Sequence, residues 1–138
     1  MSNGAVYTIS GMIALQNRGY KASPDFLAPT QFGIGTGTIT PAEADTSLGT
    51  AITAWSGGTD YKDFVSSYPI LDGPNQRVTV RGFIASTEAN SNSITEYGDF
   101  NADTIPTMSS RIVFTPITKT NTVQVFITTV YERSWKKW

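Results

Sequence analysis

Residues 29–52 constrain the fold more than any other part of the chain. Phe32 and Ile34 alternate there with Gly33 and Gly35. This alternation predicts a strand with apolar side chains on one face and almost no side chains on the other. We expect another segment of the chain to lie close against the bare face.

The same stretch then predicts a turn. Gly35 and Gly37 leave the backbone free to change direction, and Thr40-Pro-Ala-Glu43 reads as a capping box with proline at the first helical position. We therefore expect a short helical turn over residues 41–47, followed by another extended run. We call residues 29–52 the clip, and its predicted structural residues are Gly33, Gly35, Gly37, Thr40, Pro41 and Glu43.

The glycine spacing of the clip also suggests a phosphate-binding loop. Such a loop needs a following helix whose N–H groups face the phosphate, or a Gly-Lys-Ser/Thr ending. Gly37 is followed by Thr-Ile-Thr-Pro, with no lysine between Lys21 and Lys62. We favour a structural turn over nucleotide binding.

Composition narrows the class of protein. A chain of 138 residues with 39% apolar residues predicts a single domain, 1–138, with a stable core. The net charge of -1 gives no field that would attract nucleic acid or an anionic membrane. Cysteine and histidine are absent, which excludes disulfides, thiolate metal sites and the commonest general base. We predict no enzyme activity, no cofactor and no metal.

The first residues lack the basic and apolar regions of a signal peptide, and no run of 18 apolar residues occurs. We therefore expect a soluble protein made in the cytosol. Residues 1–7 are predicted to be an N-terminal arm. The spacing of Ile9, Met12, Ile13 and Gln16 then fits one helical face, with Ser10 as N-cap and Gly19 as the stop, although a strand through residues 5–9 fits as well.

The rest of the sequence predicts short strands separated by turns. Strands are predicted over residues 77–86, 94–100, 111–117 and 122–132, the last being the longest. Gly82 indicates a bulge or a close backbone contact, and Pro116 indicates a sheet edge or a bulge. The fold class predicted is mainly β, an antiparallel β-sandwich with one or two short helices.

Three stretches together resemble a known family. They are Phe32-Gly-Ile-Gly-Thr-Gly-Thr-Ile-Thr-Pro-Ala-Glu-Ala-Asp-Thr-Ser-Leu-Gly49, Ile94-Thr-Glu-Tyr-Gly-Asp-Phe-Asn-Ala-Asp103 and Arg111-Ile-Val-Phe-Thr-Pro-Ile-Thr-Lys-Thr120. In this order they are similar to stretches of the small structural proteins of tailed bacteriophages, such as tail-fibre, collar and neck-associated proteins. Asp99 stands where such proteins usually carry an apolar residue.

The resemblance implies a virion structural protein, assembled in the host cytoplasm as a symmetric homo-oligomer. It would act as an adaptor or as an attachment point for fibres, with other virion proteins and copies of itself as partners. Two alternatives stay open: a capsid decoration protein, and a carbohydrate-binding β-sandwich that stacks sugars on Trp55, Tyr61 and Tyr68.

The C-terminal tail, residues 133–138, combines aromatic and basic side chains. Such residues are common anchors in protein interfaces. The predicted interface residues are Arg133, Trp135, Lys136, Lys137 and Trp138. Either the tail docks on a neighbouring subunit, which we favour, or its tryptophans close the sandwich of their own domain.

The acidic residues give only weak support for a metal site. Asp60 with Asp63, or Glu96 with Asp99 and Asp103, supplies oxygen ligands, but the second set lacks the glycine and closing glutamate of an EF-hand. Glu96 is also expected to point inward and pair with Arg81 or Arg111, because a buried carboxylate without a partner is costly.

Overall fold

The computed structural model describes residues 5–132, and within them the chain forms eight strands and one helix. In chain order these are β1 (Val6–Tyr7), α1 (Ile9–Tyr20), β2 (Pro29–Gly35), β3 (Lys62–Asp63), β4 (Ile70–Asp72), β5 (Arg77–Ile84), β6 (Ser93–Asn101), β7 (Met108–Thr118) and β8 (Val125–Glu132).

Two antiparallel sheets build the molecule. The larger sheet has the strand order β1-β7-β6-β2-β3, and the smaller has the order β4-β5-β8. Apolar side chains from both sheets meet in one core that includes Phe32, Tyr97 and Ile84. The mainly β, sandwich-like class predicted from the sequence is confirmed.

The helix begins at Ile9, because Thr8 rather than Ser10 is its N-cap. The Thr8 hydroxyl accepts a hydrogen bond from the Gly11 N–H at 2.9 Å and donates to the Met108 carbonyl of β7. Gly19 does not stop the helix, which continues to Tyr20. Of the predicted arm, Val6 and Tyr7 pair with β7 as a short edge strand.

The predictions of a close contact at Gly82 and of a strand irregularity at Pro116 are confirmed. A Cβ at Gly82 would lie 2.9 Å from the Phe32 ring, so glycine lets the sheets approach closely there. Pro116 lies on β7 where its pairing with β6 shifts register, between the Ile94 and Glu96 pairings.

The last strand is shorter than predicted. Val123 donates its N–H to the Thr120 carbonyl, so the turn extends past residue 122 and β8 begins only at Val125. β7, with 11 residues, is longer than β8 with 8. β8 lies at the edge of the small sheet, and its Phe126 is 59% exposed.

Candidate functional site

The bare face of β2 is covered by the clip's own loop and by Glu96 of β6. The loop returns along β2, where Thr36 donates to the Thr50 carbonyl and Ile52 donates to the Ile34 carbonyl. A Cβ at Gly35 would lie 2.4 Å from Glu96 Oε2. The prediction that a segment lies close against this face is confirmed.

Glu96 is fully buried and holds the two ends of the loop together. Its carboxylate accepts backbone N–H groups of Gly37 at 2.8 Å, Gly49 at 2.8 Å and Thr50 at 2.7 Å. Arg111 Nε adds a fourth bond at 2.9 Å. The chemistry of an anion-binding glycine loop is therefore present, but its anion is a side chain of the same protein.

Arg111 links Glu96 to the tip of the clip. It is 2% exposed, and its Nη1 lies 3.0 Å from Asp45 Oδ2. Burial raises the pKa of Glu96, but the three backbone N–H groups and Arg111 outweigh this, so its pKa lies below the ordinary value of 4.5. Glu96 stays ionised as a structural counter-ion, and the predicted pairing with Arg111 rather than Arg81 is the one observed.

The predicted helical turn over residues 41–47 is wrong. These residues form one turn, at residues 43–44, and one bend, at Ser47, with no helix. Asp45 accepts the Ala42 N–H at 2.9 Å and binds Arg111, while the Glu43 carbonyl accepts the Ile9 N–H. The side chain of Asp45 organises the loop in place of the expected Thr40–Glu43 capping box.

Helix α1 forms a second notable surface. It packs on β7 through its small residues, since Gly11 and Ala14 are buried and a Cβ at Gly11 would lie 2.4 Å from Ser109 Cα. The predicted apolar face points outward instead: Ile9 is 49%, Met12 37% and Ile13 54% exposed. An apolar stripe on the solvent side of a helix is typical of an interaction surface.

A third region lies between the sheets around Asp99 of β6. Asp99 Oδ2 accepts hydrogen bonds from the Tyr131 hydroxyl at 2.5 Å and the Ser110 hydroxyl at 3.1 Å. Burial raises the pKa of Asp99 to about 6, and the nearby hydroxyls of Tyr131, Tyr97 and Ser110 offset only part of that rise. Asp99 is therefore a buried, hydrogen-bonded side chain of a strand and not an exposed acid of a loop.

The pKa values of the tyrosines around Asp99 are raised as well. Burial and the nearby Asp99 charge raise the pKa of Tyr7 to about 12 and that of Tyr131 well above its ordinary value. These hydroxyls therefore stay protonated as donors. A carboxylate sharing a strand face with Tyr97 was the sequence signal for this region.

The aromatic platform predicted for sugar stacking does not form. Trp55 is only 5% exposed, and its Nε1 donates to the Asp60 carbonyl at 2.8 Å. Tyr61 packs on Phe100, with ring centroids 4.7 Å apart, and Arg81 covers the ring of Tyr68.

The predicted acidic cluster of Glu96, Asp99 and Asp103 does not form. Glu96 and Asp99 bind separate partners, and Asp103 accepts the Leu27 N–H. Within residues 5–132 no group of three acidic side chains is placed to hold a metal ion. The predicted tail residues, Arg133, Trp135, Lys136, Lys137 and Trp138, lie outside the described residues.

In the part of the chain that the structure describes, no helix is long and apolar enough to cross a membrane. No protein-family model, no curated protein and no solved structure matches this chain.

Proposed function

We propose that this protein is a structural component of a tailed-bacteriophage virion, in the tail, collar or neck, and that it assembles with copies of itself. It would act as an adaptor or as an attachment point for fibres, and it would work by shape rather than by chemistry. The resemblance of the three sequence stretches supports the phage assignment.

The observation that carries the assembly proposal is the outward apolar stripe of α1. The helix uses Gly11 and Ala14 for its own domain and leaves Ile9, Met12 and Ile13 partly exposed. Burying these three side chains would contribute roughly 25 cal/mol for each Å² of apolar surface removed from water. A second copy of the chain is the partner that an oligomeric ring would place there.

β8 offers a second surface for assembly. In the described residues it has a strand partner on one side only, β5, and its exposed Phe126 packs against Phe83 with ring centroids 4.8 Å apart. Edge strands with exposed apolar side chains readily pair with another chain. Two different surfaces on one subunit permit the head-to-tail contacts that close a ring.

The test is the mass of the full-length protein in solution, measured by light scattering, for the native chain and for Ile13→Lys. A charge in the stripe should dissociate the oligomer, while circular dichroism stays native because Ile13 lies on the outer face of the helix. Thr87→Lys, in the exposed turn after β5, introduces the same charge away from the helix and is the control that should leave the mass unchanged. A native chain that is monomeric at every concentration would refute the assembly proposal.

The same mass measurement tests the prediction that the C-terminal tail docks on a neighbouring subunit. Removing residues 135–138 should lower the oligomer mass if the tail docks on a neighbour, whereas loss of the folded state would show that the tryptophans close their own domain. Electron microscopy of intact particles with antibody labelling would then separate a tail or neck position from a decoration protein on the capsid.

A further inference from the structure

The outer face of the small sheet carries two aromatic rings beside an open groove of about 470 Å³. Phe83 of β5 and Phe126 of β8 are paired across the two strands, with ring centroids 4.8 Å apart. Phe126 is 59% exposed, whereas its neighbour Val125 is buried in the core. Exposed aromatic side chains that line a groove mark a candidate binding surface.

Arg81 lies beside these rings, on the same face of β5 as Phe83. Its Nε donates to Thr128 Oγ1 at 3.0 Å, and its Cζ lies 5.0 Å from the ring centroid of Tyr68 and 5.9 Å from that of Phe126. These contacts fix the guanidinium next to the exposed ring. Among residues 5–132, no carboxylate pairs with Arg81 and its two Nη groups donate no hydrogen bond.

Two neighbouring cations differ from Arg81, because each already has an acidic partner. Arg77, four residues earlier on the same face of β5, has its Nε 3.4 Å from Glu132 Oε2. Lys62 lies over the Phe83 ring, and its Nζ is 2.6 Å from Glu88 Oε1. Arg81 therefore presents an unpaired positive charge and a planar pair of donors, which matches the geometry of a carboxylate.

We propose that this surface binds an acidic sugar, with the apolar face of the pyranose ring on Phe126 and the sugar carboxylate on the Nη groups of Arg81. The C–H groups of a pyranose carry a small positive charge, which the negative face of an aromatic ring attracts. Asp63 also lines the groove, and its exposed carboxylate can accept hydrogen bonds from sugar hydroxyls.

The shape and charge of the groove favour this ligand over two others. A wholly apolar ligand needs a pocket that buries most of its surface, whereas an open groove covers one face and leaves the hydroxyls of a sugar in water. A single-stranded nucleic acid needs several free cations along its backbone. Here Arg81 is unpaired, Lys62 is neutralised by Glu88, and Asp63 would repel a phosphate.

The sugar proposal does not rest on the virion function. It uses outward side chains of β5 and β8 and leaves the stripe of α1 available for assembly. Phe126 is shared with the proposed contact at the edge of β8, so a second copy of the chain is the competing occupant of this ring. The experiment therefore measures sugar binding and oligomer mass on the same variants.

The test is a ligand-observed NMR titration of methyl glucuronide with the full-length protein at pH 7. Methyl glucoside is the matched probe, because it has the same ring without the carboxylate. We expect methyl glucuronide to bind about tenfold more tightly than methyl glucoside, the effect of one charge-assisted contact. The preference should shrink as the salt concentration rises, because the guanidinium is partly exposed.

Three variants assign the contacts. Arg81→Gln should abolish the preference for methyl glucuronide, and Arg81→Lys should restore part of it, since lysine keeps the charge but not the fork. Phe126→Ala should weaken the binding of both sugars about tenfold through loss of stacking. Arg77→Gln is the control on the same strand face and should leave both affinities unchanged. Circular dichroism checks that each variant is folded.

Equal affinity for the two sugars, or an unchanged preference in Arg81→Gln, would overturn the proposal. So would tighter binding of benzoate or of a short oligothymidylate, since either would show that a flat anion or a nucleic acid is the ligand. Absence of sugar binding would overturn it as well, and a lower oligomer mass in Phe126→Ala would then identify a second copy as the occupant. The mass of Ile13→Lys tests assembly without this surface, so the two proposals can fail separately.

Discussion

Glu96 and Asp99 are two buried carboxylates only three residues apart on β6, yet their surroundings are opposite. Glu96 lies under the clip, where backbone N–H groups and Arg111 use both of its oxygens. Asp99 lies between the sheets, where the neutral hydroxyls of Tyr131 and Ser110 bond to one oxygen and, among residues 5–132, the other has no hydrogen bond of good geometry. Burial raises the pKa of both carboxyl groups. Backbone N–H donors and the Arg111 charge outweigh burial at Glu96, so its pKa is lowered, whereas the neutral hydroxyls around Asp99 do not, so its pKa is raised.

The comparison separates two uses of a buried acid. A fully bonded carboxylate fixes a loop in one position and has no capacity left for a ligand. A carboxylate whose donors are all neutral keeps a raised pKa from burial, and it weakens the fold at neutral pH, where it must be ionised. The three predictions that follow test this difference, beginning with the largest effect.

Glu96→Gln should lower the free energy of unfolding by about 3–5 kcal/mol, the cost of leaving a buried charge partner unpaired. Arg111 would lose its buried counter-ion, and the glutamine NH₂ would face N–H donors that need an acceptor. Urea denaturation measures the change. Glu43→Gln, on the exposed surface of the same clip, is the control and should cost less than about 0.5 kcal/mol. A small loss in Glu96→Gln would show that the clip is held by other contacts.

Asp99 should make the protein less stable as the pH rises from 4 to 6. Its pKa is raised from 3.8 to about 6 in the folded state, so the folded protein holds the proton more tightly, and the added stability is fully present below pH 3.8 and lost through pH 6. A shift of this size corresponds to on the order of 3 kcal/mol. Glu96 acts in the opposite sense, since its stabilisation is lost only as the pH falls below 4.5.

Denaturation at a series of pH values checks this prediction. Asp99→Asn should remove the decrease between pH 4 and 6, and Asp63→Asn on the exposed end of β3 should leave it unchanged. A decrease of the same size in Asp99→Asn would mean that another group causes it.

Gly37→Ala should lower the free energy of unfolding by about 1–3 kcal/mol, the usual cost of overpacking. A Cβ there would lie 2.5 Å from Glu96 Oε2 and 3.0 Å from the Gly49 backbone, so the clip would have to move away from its carboxylate. Gly19→Ala is the matched control: nothing lies within 4 Å of its Cβ position, and alanine is the better helix former by about 1 kcal/mol. Equal effects at the two sites would argue against a tightly closed clip.

The sequence predicted those features that depend on local pattern. The alternation of Phe32 and Ile34 with glycines predicted both the strand and its covered face, and the cost of an unpaired carboxylate predicted that Glu96 would point inward to an arginine. The helical turn at residues 41–47 was wrong because the local capping signal was outweighed by Asp45, whose partner Arg111 is 66 residues away. Local sequence carries no information about such a partner.

The Asp99 region depends on long-range geometry as well. Its donors Ser110 and Tyr131 come from β7 and β8, so the pattern within β6 could place Asp99 on a face with Tyr97 but could not show which hydroxyls would reach it. The outward stripe of α1 was missed for a related reason. An apolar helical face normally packs inward, but here Gly11 and Ala14 are the buried residues, and a Cβ built on Gly11 would lie 2.4 Å from Ser109 Cα.

The clip has a consequence for the order of folding. Its closing carboxylate is separated in sequence from the N–H groups it binds by 59, 47 and 46 residues, so the loop has no anion to close around until β6 has joined the sheet. Amide hydrogen exchange at Gly37, Gly49 and Thr50 should therefore become slow only after the β2–β6 ladder is protected. The loop's amides would then report on the last steps of folding.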